Sequence, residues 1–237
     1  MAPIERERVE EGIEVLRLDR PEARNAMNSP LLAAVEEALA ELAADDSLRV
    51  LVFSTTSPAA LSAGADVREE LDHAAGVARM ESFARLYAAV ESFPAPTIAV
   101  CVGNVVGAGA ELAAGCDLRV AGDNLKLSWA GARMGAPVGP ARLVPLVGLA
   151  RAKHLILTAE VLGAEQAQAL GLLSGVFEAE AAEAGAVALA RSVASGLGLR
   201  VLKQEFRDLE GSARRVALEN ELLVDFQARG AGLPRRP

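Results

Sequence analysis

Three short stretches with strand patterns, separated by helix-like stretches, constrain the fold of the first half of this chain. They lie at residues 13–18, 50–53 and 97–102. The buried apolar runs at 50–53 and 97–102 are typical of strands covered on both faces, as in a parallel sheet. Ser29 followed by Pro30 is a typical helix start, and apolar residues at helical spacing predict about 15 helical residues there.

The alternation of strands and helices predicts an α/β fold. With a second helix predicted near residues 76–93, the order is strand, helix, strand, helix, strand, the rhythm of right-handed β-α-β crossovers. After residue 139 the pattern becomes helical with few strand signals, and the tail 230–237 is expected to fray. The helical stretches predicted in this second half are near residues 139–148, 149–159, 164–171, 179–196, 198–209 and 212–228.

Composition argues against several classes of function. Hydrophobic residues make up 51% of the chain, enough for a packed core, while 32 acidic against 24 basic residues leave a net charge of −8. This balance argues against nucleic-acid binding, because phosphates are neutralised by clustered Lys and Arg. No segment reaches the ~18 apolar residues of a membrane span, and the N-terminus shows no secretory signal. We therefore expect a cytoplasmic protein that binds neither membranes nor nucleic acid.

Cysteine and histidine offer little chemistry. Cys101 and Cys116 cannot form a disulfide framework and lie in apolar stretches, so we predict buried free thiols. His73 and His154 lack a second His or Cys at the spacing of a metal site, so we predict no bound metal. No residue is singled out as the base of a Ser-His-Asp triad, and no G-x-S-x-G motif occurs.

A glycine-rich segment is the most informative local pattern. A predicted strand runs into Gly107, Ala108 and Gly109 and then into a helix, which leaves backbone N–H groups unpaired at the helix N-terminus. Such a terminus can bind an anionic oxygen, but small residues at a tight turn fit close packing equally well. Glu111 is the only charged residue of the stretch 97–116, so its environment would tune its pKa for acid or base chemistry.

Several motifs in the right order resemble the signature of the enoyl-CoA hydratase/isomerase (crotonase) superfamily. Together they cover roughly residues 10–177. They are RPEARNAM at 20–27, LSAGAD at 61–66, PAPTIAVCVGN at 94–104, GAGAELA at 107–113, CDLRVA at 116–121 and GAPVGPARL at 135–143.

The resemblance implies a fold and an assembly. In that superfamily a spiral of β-β-α units is followed by helices that help to form trimers. We therefore expect a crotonase-like (ClpP/crotonase) α/β core over residues 1–177, and a helical region over 178–237 for oligomerisation and pocket closure. The implied substrate is an acyl-CoA thioester, with no separate cofactor, and the implied assembly is a homotrimer or a dimer of trimers.

The resemblance also implies site residues. Two backbone amides bind the thioester oxygen in that superfamily, and the matching positions here are Ala65 and Ala108. Because peptide N–H groups donate whatever the side chain, alanine is compatible with such an oxyanion hole, which stabilises an enolate-like oxygen. The residues that match segments holding the CoA moiety are Arg24, Asn25, Ala26, Ala63, Gly64 and Asp66.

One departure concerns the two glutamates of the superfamily's hydratases. Glu111 matches the first, but the position of the second holds Gly131. Water addition uses paired carboxylates, so the sequence favours double-bond isomerisation, decarboxylation or slow hydration with Glu111 as the single acid or base. A non-catalytic acyl-CoA binder is the alternative. Trp129 and Gly131 are candidates for the acyl pocket, although a lone Trp is more often part of the core.

Two further cations have alternative interpretations. Lys203 matches a lysine on a late helix of the superfamily, where it would meet a CoA phosphate, but a solvated helix charge is the simpler interpretation. Arg133 would contact a substrate carboxylate or lie in solvent. RNA binding, known for some members, is disfavoured by the acidic balance and by the small size of the Arg214-Arg215 cluster.

Overall fold

A computed structural model describes residues 2–193, 198–230 and 232–233. The strands are β1 (Ile4–Glu10), β2 (Ile13–Leu18), β3 (Val50–Thr55), β4 (Ala60–Ser62), β5 (Thr97–Cys101), β6 (Asn104–Val106), β7 (Leu118–Gly122), β8 (Lys126–Ser128) and β9 (Gly175–Phe177). The α-helices are α1 (Ser29–Ala43), α2 (His73–Glu91), α3 (Ala108–Gly115), α4 (Pro140–Thr158), α5 (Ala164–Ala169), α6 (Ala182–Ser192), α7 (Gly198–Glu210) and α8 (Ser212–Arg229).

Two sheets share the strands. The larger has the order β1-β2-β3-β5-β7-β9, in which only β1 is antiparallel to its neighbour, and the smaller has the parallel order β4-β6-β8. Each of β3, β5 and β7 is followed at once by a strand of the smaller sheet and then by a helix. The expected α/β fold with a spiral of β-β-α units is therefore confirmed.

Helices cover both faces of the larger sheet. On one face Leu51 and Phe53 pack in a core with α1 and α2, and on the other Val50 and Val52 pack against Ala186 of α6. Because both faces are buried, these strands need continuous apolar sequence, which is what made them recognisable. The three predicted strands are confirmed.

Helix α1 begins as its sequence dictates, with one correction. The Asn28 side chain accepts a hydrogen bond from the backbone N–H of Leu31 at 3.1 Å, so Asn28 is the N-cap and the predicted Ser29 is the first helical residue. Pro30 follows in the first turn, where its missing N–H has no cost. The predicted length of about 15 residues is confirmed by the 15 observed.

The C-terminal half is helical, as predicted, apart from β9. Helix α4 breaks at Gly148, whose φ of 77° and ψ of 162° are not helical, so the two predicted helices 139–148 and 149–159 are confirmed as two segments joined at a kink. The predicted helix 179–196 begins later and ends earlier, as α6, and its residues 194–196 lie outside the described residues, as do 231 and 234–237 of the expected frayed tail. Within the described ranges, no helix has the length and hydropathy needed to span a bilayer.

Candidate active site

Glycines allow two loops to approach each other closely. Gly64 (φ 100°) and Gly107 (φ 53°) adopt left-handed conformations that other residues rarely take. A Cβ on Gly64 would lie 2.8 Å from the Val106 carbonyl oxygen and 3.6 Å from the Ala108 nitrogen. A Cβ on Gly109 would lie 2.5 Å from the backbone oxygen of Ser62. The loop after β4 and the start of α3 can therefore meet only because these side chains are absent.

The two predicted amide donors lie at this junction. Ala108 is the first residue of α3, so its N–H has no partner within the helix. Ala65 lies between two backbone hydrogen bonds, from Met27 N to Gly64 O at 2.7 Å and from Asp66 N to Met27 O at 2.9 Å. In the described part of the chain neither the Ala65 nor the Ala108 N–H has an acceptor. The structure thus brings together two free backbone donors.

A cavity of about 230 Å³ opens onto both donors. We call it the central cavity. Its walls come from the two glycine loops, from α2 and α8, and from the segment after β8. Side chains and backbone that line it include Ala65, Val67, Met80, Phe83, Tyr87, Ala108, Gly131, Met134, Val138, Leu223 and Leu233.

Glu111 lies behind the wall of the central cavity rather than in it. It occupies the first turn of α3 and is 1% exposed. Its Oε2 accepts a hydrogen bond from Arg142 Nη1 at 3.0 Å, and the same Nη1 donates to Glu219 of α8. Arg142 Nη2 donates to Asn220 Oδ1 at 3.3 Å. We call Glu111, Arg142, Glu219 and Asn220 the Arg142 cluster.

The Arg142 cluster holds two buried carboxylates against one guanidinium. The pKa of Glu111 is raised to about 8, chiefly by burial and also by the nearby Glu219 charge, while Arg142 opposes both effects. The Arg142 guanidinium carbon lies 4.3 Å from the centroid of the Tyr87 ring. A carboxylic acid with this pKa is protonated near neutral pH, so it can deliver a proton.

The position expected for a second glutamate has an apolar setting. Gly131 belongs to a short 3-10 helix, Ala130–Met134, and lines the central cavity. A Cβ at Gly131 would lie 2.7 Å from Val138 Cγ2, so Val138 fills the space that a larger side chain would need. Trp129 differs from the expectation for an acyl-pocket residue. It packs in the core, outside the cavity lining, with no described partner for Nε1.

The segment expected to hold CoA is organised by a buried side chain. The Asn25 amide donates to Thr55 Oγ1 at 2.7 Å and to two backbone oxygens of β4, and it is fully buried. Its side chain therefore ties the loop to the sheet rather than facing solvent. The Ala63 N–H donates to Arg24 O at 2.9 Å, so residues 24–26 and 63–66 lie side by side.

Two side chains at the edge of this segment differ in accessibility. Arg24 is exposed, and its guanidinium has no partner among the residues that the structure describes. Asp66 is paired with Arg20 at 3.3 Å, and its carboxylate accepts from the Arg68 N–H at 3.1 Å. Residues 67 and 68 form a turn, so Asp66 does not cap a helix. Of these two, only Arg24 is free to meet a phosphate.

Other sequence-based alternatives are resolved by burial. Lys203 is 7% exposed and donates to Asp117 at 2.7 Å and to the Ala95 carbonyl at 2.9 Å, so it is neither solvated nor free to bind a phosphate. Arg133 is exposed and donates to the Thr158 carbonyl. Cys101 and Cys116 are buried free thiols as predicted, and burial raises the pKa of each to about 12.

Comparison with known proteins assigns the chain to a family. A family model described as Enoyl-CoA hydratase/isomerase matches residues 8–229. The chain belongs to the enoyl-CoA hydratase/isomerase family. This confirms the resemblance and extends it across the C-terminal helices.

Two relatives in the family share more than a third of the aligned residues with the chain. The 2,3-dehydroadipyl-CoA hydratase of Escherichia coli (strain K12) is 34% identical over 87% of this chain and 83% of its own length. The mitochondrial enoyl-CoA hydratase domain-containing protein 2 of Bos taurus is 38% identical over 69% of this chain, which spans 57% of that protein. Pseudomonas aeruginosa DspI has the same fold, with a TM-score of 0.82 and 27% identity over 93% of this chain and 86% of its own.

Sequence reasoning missed the partners of Glu111. Arg142 lies within a motif that carried the resemblance, but nothing local marks it as a partner of Glu111. Glu219 is far along the chain and has no sequence signal, since only the packing of α8 brings it to the cluster. Tyr87 is the only tyrosine of the chain, which is the one hint that the sequence offers for it.

Proposed function

We propose that this protein is an acyl-CoA enzyme that stabilises a thioester enolate with the backbone amides of Ala65 and Ala108. The observation that carries the proposal is the pair of unpaired backbone donors on a cavity lined mainly by apolar side chains. In such a low-dielectric site, donors aimed at a developing oxyanion stabilise it strongly, and one donor is worth about 10²–10³ in rate. Relatives named as CoA-thioester hydratases support the substrate class.

Glu111 is the proton carrier in this proposal. Its carboxyl begins protonated near neutral pH because burial raises its pKa. A Cβ on Gly139 would lie 3.3 Å from Glu111 Oε1, and the neighbouring Val138 lines the cavity, so one thin segment separates the carboxyl from the substrate. In decarboxylation the departing carbon dioxide leaves the electron pair of the broken carbon–carbon bond as the enolate, and the carboxyl, once it exchanges its contact with Arg142 for the substrate, donates its proton to the enolate carbon. In double-bond isomerisation the ionised form of the same carboxyl first takes a proton from the acyl chain and then returns it at another carbon.

The apolar surroundings of Gly131 argue against fast hydration. Water addition needs a second carboxylate to position and deprotonate the water, and Val138 fills that space. Double-bond isomerisation and decarboxylation need only the oxyanion hole and one proton carrier. Both are therefore better supported than hydration, which we expect to be slow.

A second candidate is an acyl-CoA-binding protein without catalysis. The enclosure of Glu111 in the Arg142 cluster favours it, because a carboxyl that never leaves Arg142 cannot reach a substrate. In that case the amides of Ala65 and Ala108 hold the thioester oxygen in its ground state only.

Self-association is part of the proposal. Helix α7 exposes Val201, Leu202, Phe206 and Leu209, and Leu209 is 85% exposed. An apolar face of this kind marks an interaction surface, which supports the expected homotrimer or dimer of trimers. Leu223 of α8 lines the central cavity, which supports a role for residues 178–237 in closing it.

The deciding experiment is mass spectrometry of CoA thioesters incubated with the protein in heavy water. The panel holds saturated, 2-enoyl, 3-enoyl and malonyl-type acyl groups. We expect deuterium at carbon or loss of carbon dioxide with the wild type, and a loss of about 10²–10⁴-fold in Glu111→Gln, which has the same shape but no transferable proton.

Glu221→Gln is the matched control, since Glu221 is exposed on α8 and lies outside the Arg142 cluster. A wild type that binds thioesters but changes none of them identifies the non-catalytic binder. Equal turnover in the wild type and Glu111→Gln contradicts the role given to Glu111.

A further inference from the structure

A buried ion pair lies directly beyond the Ala65 donor. Arg79, in the N-terminal half of α2, is 6% exposed, and its Nη1 donates to Glu69 Oε2 at 3.1 Å and to the Asp66 carbonyl oxygen at 2.7 Å. The Glu69 carboxylate also accepts the backbone N–H of Ser29 at 3.0 Å, at the start of α1. We call Ser29, Asp66, Glu69 and Arg79 the Arg79 clamp. It joins α1 and α2 to the residue that follows Ala65.

The Arg79 clamp completes the hydrogen bonding of Asp66. The Asp66 N–H donates to the Met27 carbonyl at 2.9 Å, its carboxylate is paired with Arg20, and its own carbonyl accepts from Arg79. The backbone of Met27 bonds to the residue on either side of Ala65. In the described part of the chain, the Ala65 N–H is the group left without an acceptor between these fixed neighbours. The direction of this donor is therefore set by the contacts of Met27 and Asp66.

Stability alone does not account for the Arg79 clamp. Removing two charges from water costs free energy that their attraction only partly offsets, so apolar residues often serve stability equally well. Arg79 Nε is moreover buried without a partner within the described ranges, which adds to the cost. What a hydrogen-bonded ion pair does supply is one fixed geometry. The segment that it fixes here carries a donor whose effect depends on its direction.

Helix α2 connects the Arg79 clamp to the wall of the central cavity. Met80 and Phe83, one and four residues after Arg79, line that cavity, whereas Arg79 is not part of the described lining. Because Arg79 belongs to the same helix, its contact with Asp66 fixes the donor loop relative to this wall. Arg79 thus acts on the site through the backbone and does not touch the bound group.

We propose that Arg79 is a positioning residue of the oxyanion hole, which keeps the Ala65 N–H directed at the thioester oxygen by holding the Asp66 carbonyl. This inference rests on the proposed function, in which that N–H binds the oxygen. A displacement of about 1 Å in a reacting site can lower a rate about 100-fold, so a residue outside the cavity can govern the strength of the hole.

The test is the infrared carbonyl stretch of bound butanoyl-CoA carrying ¹³C at the thioester carbon, which reports hydrogen bonds to that oxygen without turnover. Arg79→Met removes the donor to the loop. Adding Glu69→Gln leaves no buried charge unpaired and keeps an acceptor for the Ser29 N–H, so this double variant carries the test if the single variant does not fold. Arg79→Lys restores a cationic donor. Arg85→Met is the control, because Arg85 is exposed on the same helix and pairs with Glu36 at 3.0 Å.

We expect the wild-type stretch to lie below its value in water, and Arg79→Met, alone or with Glu69→Gln, to lose most of that shift. Arg79→Lys should recover most of it, and Arg85→Met should keep it. The dissociation constant for butanoyl-CoA should rise no more than about tenfold in the methionine variants, which is the value of one hydrogen bond.

Four results would overturn the inference. They are a wild-type shift in the methionine variants, an equal loss in Arg79→Lys, an equal loss in Arg85→Met, and a larger fall in affinity, which would mean that Arg79 shapes the cavity itself. A wild type that binds the thioester with its stretch at or above the value in water refutes the proposed oxyanion hole, and the role of Arg79 with it.

Discussion

The two walls of the central cavity are built from different chemistry. On the wall formed by the glycine loops, the polar groups are backbone N–H donors of Ala65 and Ala108, held by the close approach that Gly64 and Gly109 allow. On the wall formed by the segment after β8, a second carboxylate would require a side chain at Gly131, and Val138 occupies the space. The first wall retains its donors whatever side chain the donor residues carry, whereas the second depends on the identity of single residues.

This difference explains why the chain can keep the backbone oxyanion hole although it lacks the second glutamate of the family's hydratases. A backbone hole requires small residues at the crossing points and tolerates alanine at the donors. An acid/base pair requires two carboxylates, and here one position is glycine and the other is held in the Arg142 cluster. We therefore expect oxyanion stabilisation to be the stronger feature of this protein.

The largest effect on turnover should come from separating the two glycine loops that hold the Ala65 and Ala108 donors. In Gly109→Ala the new Cβ would lie 2.5 Å from the Ser62 carbonyl oxygen, so the two loops must separate and the donor pair is lost. Turnover in the heavy-water assay should fall about 100-fold or more.

Gly198→Ala is the control for this substitution, because no described atom lies within 4 Å of the added Cβ. It should leave turnover close to wild type. Wild-type turnover in Gly109→Ala, with a normal unfolding transition, would contradict the role given to the loop junction.

A smaller effect, a gain in hydration rate, should come from introducing a second carboxylate at position 131. Gly131→Glu alone clashes with Val138, so it should destabilise the protein, whereas Gly131→Glu with Val138→Ala provides room for the carboxylate. The double variant should hydrate a 2-enoyl-CoA about tenfold faster than wild type, at the lower end of the gain from a positioned acid or base. Gly131→Gln with Val138→Ala is isosteric and should show no gain. An equal gain in both double variants would mean that the wider cavity, and not the carboxylate, is responsible.

Strands that are buried on both faces could be predicted from the sequence, and so could helices with a regular apolar face. The strand at 50–53 was recognised because both of its faces are covered, and α1 because its apolar positions repeat at helical spacing. Strand β1 was missed because it is a charged edge strand, with Arg6 and Arg8 paired to Glu14. Strands β4, β6 and β8 have three residues each, which is too short for any periodicity.

Site residues that lie within a sequence motif could be predicted, whereas contacts between segments far apart in the chain could not. Ala65 and Ala108 follow from two motifs, and the structure brings them together. The environment of Glu111 does not follow, since Glu219 reaches it only through the packing of α8. Burial of Lys203 depends on where α7 docks, which the sequence does not specify.

The smallest effect concerns the pH dependence of Glu111. A reaction that needs its protonated form should decline as pH rises through about 8, because burial raises the pKa to that value. Glu219→Gln removes a negative charge that raises this pKa, so the decline should begin at lower pH, while Glu221→Gln should leave the profile unchanged. If Glu219→Gln does not move the pH at which the rate declines, a group other than Glu111 governs that decline.

The most direct test of the backbone oxyanion hole is the infrared carbonyl stretch of bound butanoyl-CoA carrying ¹³C at the thioester carbon. Two N–H donors at the oxygen weaken the carbonyl bond, so the bound stretch should lie at a lower wavenumber than in water, and Gly109→Ala should reverse the shift. The measurement needs no turnover, so it also holds for a protein that only binds. A tightly bound thioester whose carbonyl stretch stays at or above its value in water would contradict the account.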